Sequence, residues 1–215
     1  MTDSKEPDSV EHEIRARHGA GNLEGAATLL LETYGTEIFR FVLSRLRDQD
    51  ATNEAFSHFT EDLWRGLPGF RWECSARTWS YTLARHAASK YVAAARRQRE
   101  REAPLLSGSE LHDVAEKIRT QTLTAVRTEV KSSVAELRAR LPLDDQTLLI
   151  LRVNRGLDWK EIARVMLDPG ENPTERDLDK EAARLRKRFQ AVKEKLRRLV
   201  AEVGLLHDES ELGKQ

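Results

Sequence analysis

Apolar residues return at three- and four-residue steps through most of the chain, and alternating β-branched runs are scarce, so the pattern predicts an all-α fold. Beginning at Asn22, the residues Leu23, Ala26, Ala27, Leu30, Leu31, Tyr34, Ile38, Phe41, Val42 and Leu46 trace one long helix, which Asp48-Gln49-Asp50 ends or bends into the next. A second helix is expected from about Thr52 to Leu67. Phe56, Phe59, Leu63 and Trp64 form its apolar face and Pro68-Gly69 stops it. Residues 1–20 are charged and lack this periodicity, and they read as a mobile tail.

The stretch from Phe70 to Arg101 predicts a loop followed by a third helix with two unlike faces. At about 100° per residue, Trp79, Leu83, Ala87 and Ala94 share one stripe, which reads as core. Arg77, Tyr81, Arg85, Ser89 and Arg96 lie nearly opposite, and they read as a ligand surface. Guanidinium groups form charge-assisted hydrogen bonds with phosphates, and exposed rings stack on unpaired bases, so the combination suits partly single-stranded nucleic acid. A solvated basic helix packed through Trp79 is the plainer alternative.

Beyond Gln98 the pattern lapses through Glu102-Ala103-Pro104 and Ser107-Gly108-Ser109, which mark a linker over 99–129. The chain therefore divides into a tail over 1–20, a helical domain over 21–98, that linker, a second helical domain over 130–203 and a tail over 204–215. In the second domain a helix is expected from Asp144 to Val153, closed by Asn154-Arg155-Gly156. Asp158, with Glu161 three residues on, then predicts a capping box at a further helix start. The last helix carries Leu178, Ala182, Leu185, Phe189, Val192, Leu196 and Leu199 at alternating four- and three-residue steps, and Thr174 is its expected cap. Its outer face offers Lys180, Arg184, Lys187 and Gln190 among small residues, beside Arg186 and Arg188. Arg or Lys can read guanine and Gln can read adenine in a major groove. A bundle helix with a charged outer face fits the same periodicity.

Charge sharpens this division. The chain carries 36 basic and 36 acidic residues, so its formal net charge is zero, yet the two signs are separated along it. Arg184 to Arg198 is strongly basic, and Asp168 to Glu181 is acidic. Such a local basic footprint meets the requirement of phosphate binding, while the neutral total predicts weak non-specific affinity for DNA. One cysteine, Cys74, excludes an internal disulfide and reads as a small, partly buried residue. No leader or long apolar run is seen, which predicts a cytoplasmic protein with no membrane insertion.

Phe70-Arg71 followed by Ala76-Arg77-Thr78-Trp79, Tyr81, Ala84-Arg85 and His86 resembles the promoter-melting and minus-ten-reading part of bacterial RNA polymerase sigma factors. The similarity is to the small extracytoplasmic-function class, in which Asn is usual where His86 stands. The resemblance covers roughly Tyr34 to Arg97 and Val134 to Leu199. It implies two small helical domains joined by a flexible linker, with core RNA polymerase and promoter DNA as partners. An anti-sigma protein is the inhibitor by analogy, with no cofactor, no metal and no catalytic residue. On this alignment Phe70, Arg71, Trp72, Arg77, Tyr81, Arg85, His86 and Arg96 face the opened minus-ten element. Lys180, Arg184, Arg186, Lys187, Arg188 and Gln190 face the minus-thirty-five element. Polymerase docking falls to Glu54, Ser57, His58, Glu61 and Asp62, where Ser57-His58 replaces the family's Gln-Glu or Gln-Asp pair.

The distance from Ala163 to Leu185 is longer than a helix-turn-helix ordinarily allows. The insert 167–182 is therefore expected either to redirect the last helix or to mask its basic face. A stand-alone helix-turn-helix regulator is the second functional reading. An enzyme using His58 with Glu61 and Asp62, which share a helical face, is the third.

Overall fold

The structure, a computed structural model, describes residues 7–99, 140–168, 171 and 173–202, with side chains from Ser9 to Ala95 in the first of these stretches. The predicted linker from 100 onward, residues 130–139, the tail 204–215 and the side chain of Arg96 lie outside the described residues. Seven α-helices make up the described fold.

Residues 7–19, read above as tail, form helix α1 (Pro7–Gly19). Pro7 suits a first helical position, where its missing N–H costs nothing. Val10 and Ile14, one turn apart, are buried against the long helix α2 (Leu23–Leu46). Two apolar residues at four-residue spacing in a charged segment are enough once a neighbouring helix supplies the rest of the interface. Asn22 caps α2 by accepting from Gly25 N at 2.9 Å. Arg47 ends α2 in the left-handed region (φ 54°), and Asp48 then caps α3 (Gln49–Gly66) through Ala51 N at 2.8 Å. A 3₁₀ turn over Leu67–Gly69 leads through the loop 70–75 to α4 (Ala76–Arg99).

α2 is the axis of this first bundle, flanked by α1, α3 and α4. Its core includes Phe39 against Phe56 at 5.2 Å, Phe56 against Phe59 at 5.4 Å and Phe41 against Tyr81 at 5.1 Å between ring centres. Phe39, Phe41, Phe56 and Phe59 are fully buried, each stabilising by roughly 1.5–3 kcal/mol through area removed from water. Trp64, assigned above to the apolar face of α3, is instead 43% exposed.

The second unit contains α5 (Leu143–Leu149), continued by a wider π turn over Ile150–Asn154, then α6 (Trp159–Met166) and α7 (Glu175–Glu202). Gly156, at φ 68°, makes the turn that Asn154-Arg155-Gly156 predicted. Both bonds of the Asp158–Glu161 capping box are present: Glu161 N to Asp158 Oδ1 and Asp158 N to Glu161 Oε2, each 2.8 Å. Thr174 caps α7 reciprocally with Asp177. Leu178, Ala182, Leu185, Phe189 and Val192 are buried on the face that meets α6, with Trp159 edge-on to Phe189 at 5.5 Å.

Asp158→Ala should cost about 1 kcal/mol, rising towards 2, because it leaves the Glu161 N–H without its side-chain acceptor. A urea titration of the purified chain checks this. An unchanged midpoint would mean that packing alone holds α6.

Candidate nucleic-acid interface

α4 carries the residues that the sequence assigns to opened DNA, and its start is built by α1. The Glu11 carboxylate accepts from Ala76 N at 2.8 Å and Arg77 N at 2.9 Å, capping α4 from another helix, and it also accepts from the Tyr34 hydroxyl at 2.9 Å. Ser75 adds the local cap, accepting from Thr78 N at 3.0 Å. Burial and the Glu11 carboxylate together push the Tyr34 phenol well above its usual range. Glu11 falls within the segment whose charge pattern reads as tail, and nothing in its own residue type marks it as a cap for α4. Val10 and Ile14 beside it were the available signal.

The loop before α4 is an aromatic cluster. Phe70 stacks on Trp79 at 4.5 Å between ring centres and meets Trp72 at 4.8 Å. Trp72 occupies the left-handed region at φ 60°, costly for a bulky side chain. Its Nε1–H donates to His18 Nδ1 at 3.3 Å, while His18 Nε2 lies 2.8 Å from the Leu67 carbonyl. Arg15 stands over the Trp72 ring at 5.5 Å. A Cβ on Gly66 would sit 3.0 Å from Trp79, which is why the end of α3 can approach that ring. Arg71 is exposed and pairs with Glu73 at 3.1 Å. Trp79 lies in this stack, as expected of a core position.

The expected polar stripe of α4 is not an open surface. Arg77 forms a bidentate pair with Glu37 of α2, at 2.7 and 3.0 Å, and also donates to the Arg155 carbonyl at 3.2 Å. The hydrogen bonds to Glu37 raise its pKa well above the ordinary arginine range. Tyr81 is fully buried against Phe41, and burial followed by the nearby Glu37 charge raises its phenol far above the usual value. Thr78 donates to Glu161 of α6 at 2.7 Å. Arg85, 11% exposed, donates to the Leu167 carbonyl at 2.6 Å and lies 3.6 Å from Asp168. His86 Nε2 is 3.1 Å from the same carbonyl. The two-face reading fails because α4 has partners on several sides, and Ala76, Ala84, Ala87 and Ala88 let them approach closely.

His86 supplies a pH dependence. Burial lowers its pKa from 6.5, only partly offset by the Leu167 carbonyl; Arg85 and Lys90 lower it further and Asp168 opposes them. The unfolded chain therefore takes up the proton first. The stability that His86 contributes is complete above about pH 6.5 and is lost as pH falls below that value. Thermal unfolding from pH 7.5 to 5.5 should show a steeper fall for the native chain than for His86→Asn. Parallel curves would contradict the assignment.

On α7, Lys180, Arg184, Arg186, Lys187 and Gln190 are exposed, Arg186 standing over Trp159 at 6.0 Å, whereas Arg188 turns inward to Asp145 at 2.6 Å. Arg184 pairs with Glu181 at 2.8 Å. The acidic first turns of α7 are directed to α6: Glu175 pairs with Lys160 and Arg164, and Asp179 with Lys160 at 2.9 Å. That pairing ties the insert to α6 and leaves Lys187 and Gln190 open.

On α3, Glu54, His58 and Glu61 are exposed beside Trp64, and Ser57 donates to the Asn53 carbonyl at 3.1 Å. His58 and Glu61 stand 3.9 Å apart, while Asp62 accepts from Lys90 of α4 at 2.9 Å and from Arg65. Among the described residues no three His, Cys, Asp or Glu side chains converge as a metal site. Cys74 is half-buried, and burial pushes its thiol up to about 11.

No protein-family model matches the chain. It is 29% identical over 135 residues to the RNA polymerase sigma-H factor of Pseudomonas aeruginosa, covering 61% of this chain and 68% of that protein. It is 26% identical over 144 residues to the ECF RNA polymerase sigma-E factor of Haemophilus influenzae, covering 66% and 76%. With its all-helical build, a capped helix pair bearing an exposed basic stripe, and an aromatic loop ahead of an arginine-bearing helix, the chain is a distant homologue of the extracytoplasmic-function RNA polymerase sigma factors.

Proposed function

We propose that this protein recruits core RNA polymerase to promoters and helps open the DNA, acting by binding rather than covalent catalysis. Homology to sigma factors over most of the chain supports its role in transcription initiation. The observation that carries the division of labour is the stripe Lys180, Arg184, Lys187 and Gln190 on α7, which follows the capped helix α6 as a recognition helix follows its partner. In this reading α7 takes the minus-thirty-five element. The loop 70–75 and Arg85 and His86 of α4 take the opened minus-ten element. Extruding a base costs a few kcal/mol, which stacking on Trp72 or Phe70 must offset. Arg77, committed to Glu37, buttresses α4.

Polymerase docking is assigned to the exposed face of α3, where Glu54, Ser57, His58 and Glu61 surround Trp64. Asp62 braces that face against α4. Polymerase places the protein in the cytoplasm, with an anti-sigma protein as its expected inhibitor by analogy. No described helix is long and apolar enough to cross a membrane.

Co-elution of the full chain with core polymerase on a sizing column tests the reading, with Trp64→Ala as the probe of the docking face. A stoichiometric complex that Trp64→Ala weakens without unfolding is the expected result. A folded native chain that forms no complex at micromolar concentration would instead favour a stand-alone helix-turn-helix regulator.

A further inference from the structure

Helix α1 holds the loop 70–75 at its middle and on both flanks. Glu11, Arg15 and His18 stand at i, i+4 and i+7, one stripe of the helix about 10 Å long. His18 Nε2 meets the Leu67 carbonyl at 2.8 Å, in the turn before the loop, and His18 Nδ1 accepts from the Trp72 indole at 3.3 Å. Glu11 accepts from Ala76 N and Arg77 N, where the loop becomes α4. Because Nδ1 accepts the indole N–H, the neutral imidazole carries its hydrogen on Nε2 and donates it to Leu67. One side chain thus ties the end of α3 to the central ring of the loop.

Trp72 needs such a tie. At φ 60° it occupies a region that bulky residues avoid, so the ring keeps its direction only while contacts from outside hold it. Phe70, within the loop, supplies one at 4.8 Å. The others come from α1: the His18 ring, edge-on at 5.6 Å, and the Arg15 guanidinium, 5.5 Å over the indole. Arg15 is exposed and Trp72 half-buried, so the face beneath the guanidinium is the one open to a ligand. A cation–π contact at an exposed site is weaker than a nucleic-acid base stacked on an aromatic ring. An unpaired base can therefore replace the guanidinium, which then stands beside that nucleotide's phosphate.

We propose that α1 is part of the base-capturing site: His18 is the positioning residue that sets the Trp72 ring as the platform for one extruded base, and Arg15 takes the phosphate of the same nucleotide. This rests on the promoter-opening reading. It adds one specific ring and a helix whose sequence pattern carries no sign of DNA binding.

The test uses the full chain, with and without core polymerase, and a short oligothymidine bearing a single 2-aminopurine, whose fluorescence is quenched on stacking; stacking tolerates any base sequence. In the free chain, 5-fluorotryptophan gives each of the four tryptophans its own fluorine signal, and Trp72→Phe assigns that of Trp72. The native chain should quench the probe. His18→Ala should move the Trp72 signal before any DNA is added and weaken the quenching titration about tenfold, the scale of one lost base stack. His18→Gln, whose amide offers both an acceptor and a donor, should restore signal and affinity. Trp72→Ala should abolish quenching. Arg15→Ala should lower the salt slope of binding by about 0.7, one phosphate contact on a single strand. Circular dichroism verifies that each variant keeps its helix content.

A Trp72 signal that His18→Ala leaves in place overturns the proposal. So does quenching that survives Trp72→Ala, or a native chain that fails to quench the probe both free and with polymerase. Quenching that depends on Trp72 and His18, in a chain that forms no polymerase complex, upholds the platform and counts against the sigma reading alone.

Discussion

Tyr81→Ala is expected to destabilise the first bundle by about 3–5 kcal/mol, the usual cost of truncating a fully buried aromatic side chain. The Tyr81 ring is completely covered and edge-on to Phe41 at 5.1 Å, so the substitution leaves a cavity between α2 and α4. Its consequence separates two ideas of this residue. If Tyr81 stacked on opened DNA, alanine would remove promoter opening and spare polymerase docking. As a core residue it should weaken both together, through loss of folded protein. Tyr81→Phe keeps the ring and removes only the hydroxyl, so it should cost no more than about 1.5 kcal/mol and retain both activities. Chemical denaturation beside a polymerase-binding assay measures the pair. A stable Tyr81→Ala chain that docks normally and fails to open DNA would return Tyr81 to the interface.

Glu37→Ala has the second largest expected effect, about 3 kcal/mol, at the lower end for breaking a buried ion pair because its side chain and that of Arg77 remain one-fifth to one-quarter exposed. Glu37 accepts both arms of Arg77 and lies 3.8 Å from Arg155, so its loss leaves two cations facing each other without an anion. The damage should reach both units: α4 loses its brace to α2, and the second unit loses the anchor of Arg155. Arg155→Ala alone removes one of those cations and should cost clearly less. The double variant Glu37→Ala with Arg155→Ala should be more stable than the sum of the two single losses predicts. Simple additivity in urea unfolding would show that Glu37 and Arg155 act independently.

Helix existence was legible in the chain because periodicity and caps agreed. The Asp158–Glu161 box, the Thr174 cap and the four- and three-residue steps from Leu178 to Val192 all stand where the residues point. Three things were not legible. Helix α1 was hidden because only Val10 and Ile14 mark its buried side, and its function lies in one carboxylate, Glu11, reaching a different helix. Trp64 lies on the exposed side of α3 although its residue type reads as core, since burial is decided by which partners a face meets. The face of α4 was read as open because Arg77, Tyr81 and Arg85 lie on one stripe, and no local pattern reports that Glu37, Phe41 and Leu167 fill the space opposite them. Contacts between residues forty to eighty-two positions apart leave no periodic trace.

The residues proposed for the minus-thirty-five element follow the same logic. Exposure on α7 separates Lys180, Arg184, Lys187 and Gln190 from Arg188, which serves the fold through Asp145. Sequence spacing had grouped them together.

Permanganate probing of unpaired thymines at a minus-ten element, in the presence of core polymerase and the full chain, shows whether this protein opens promoter DNA. Reactive thymines are expected only when both proteins are present, and they should be lost with Arg85→Ala although that variant still co-elutes with polymerase. A promoter that stays closed in a stoichiometric polymerase complex with the native chain would contradict it.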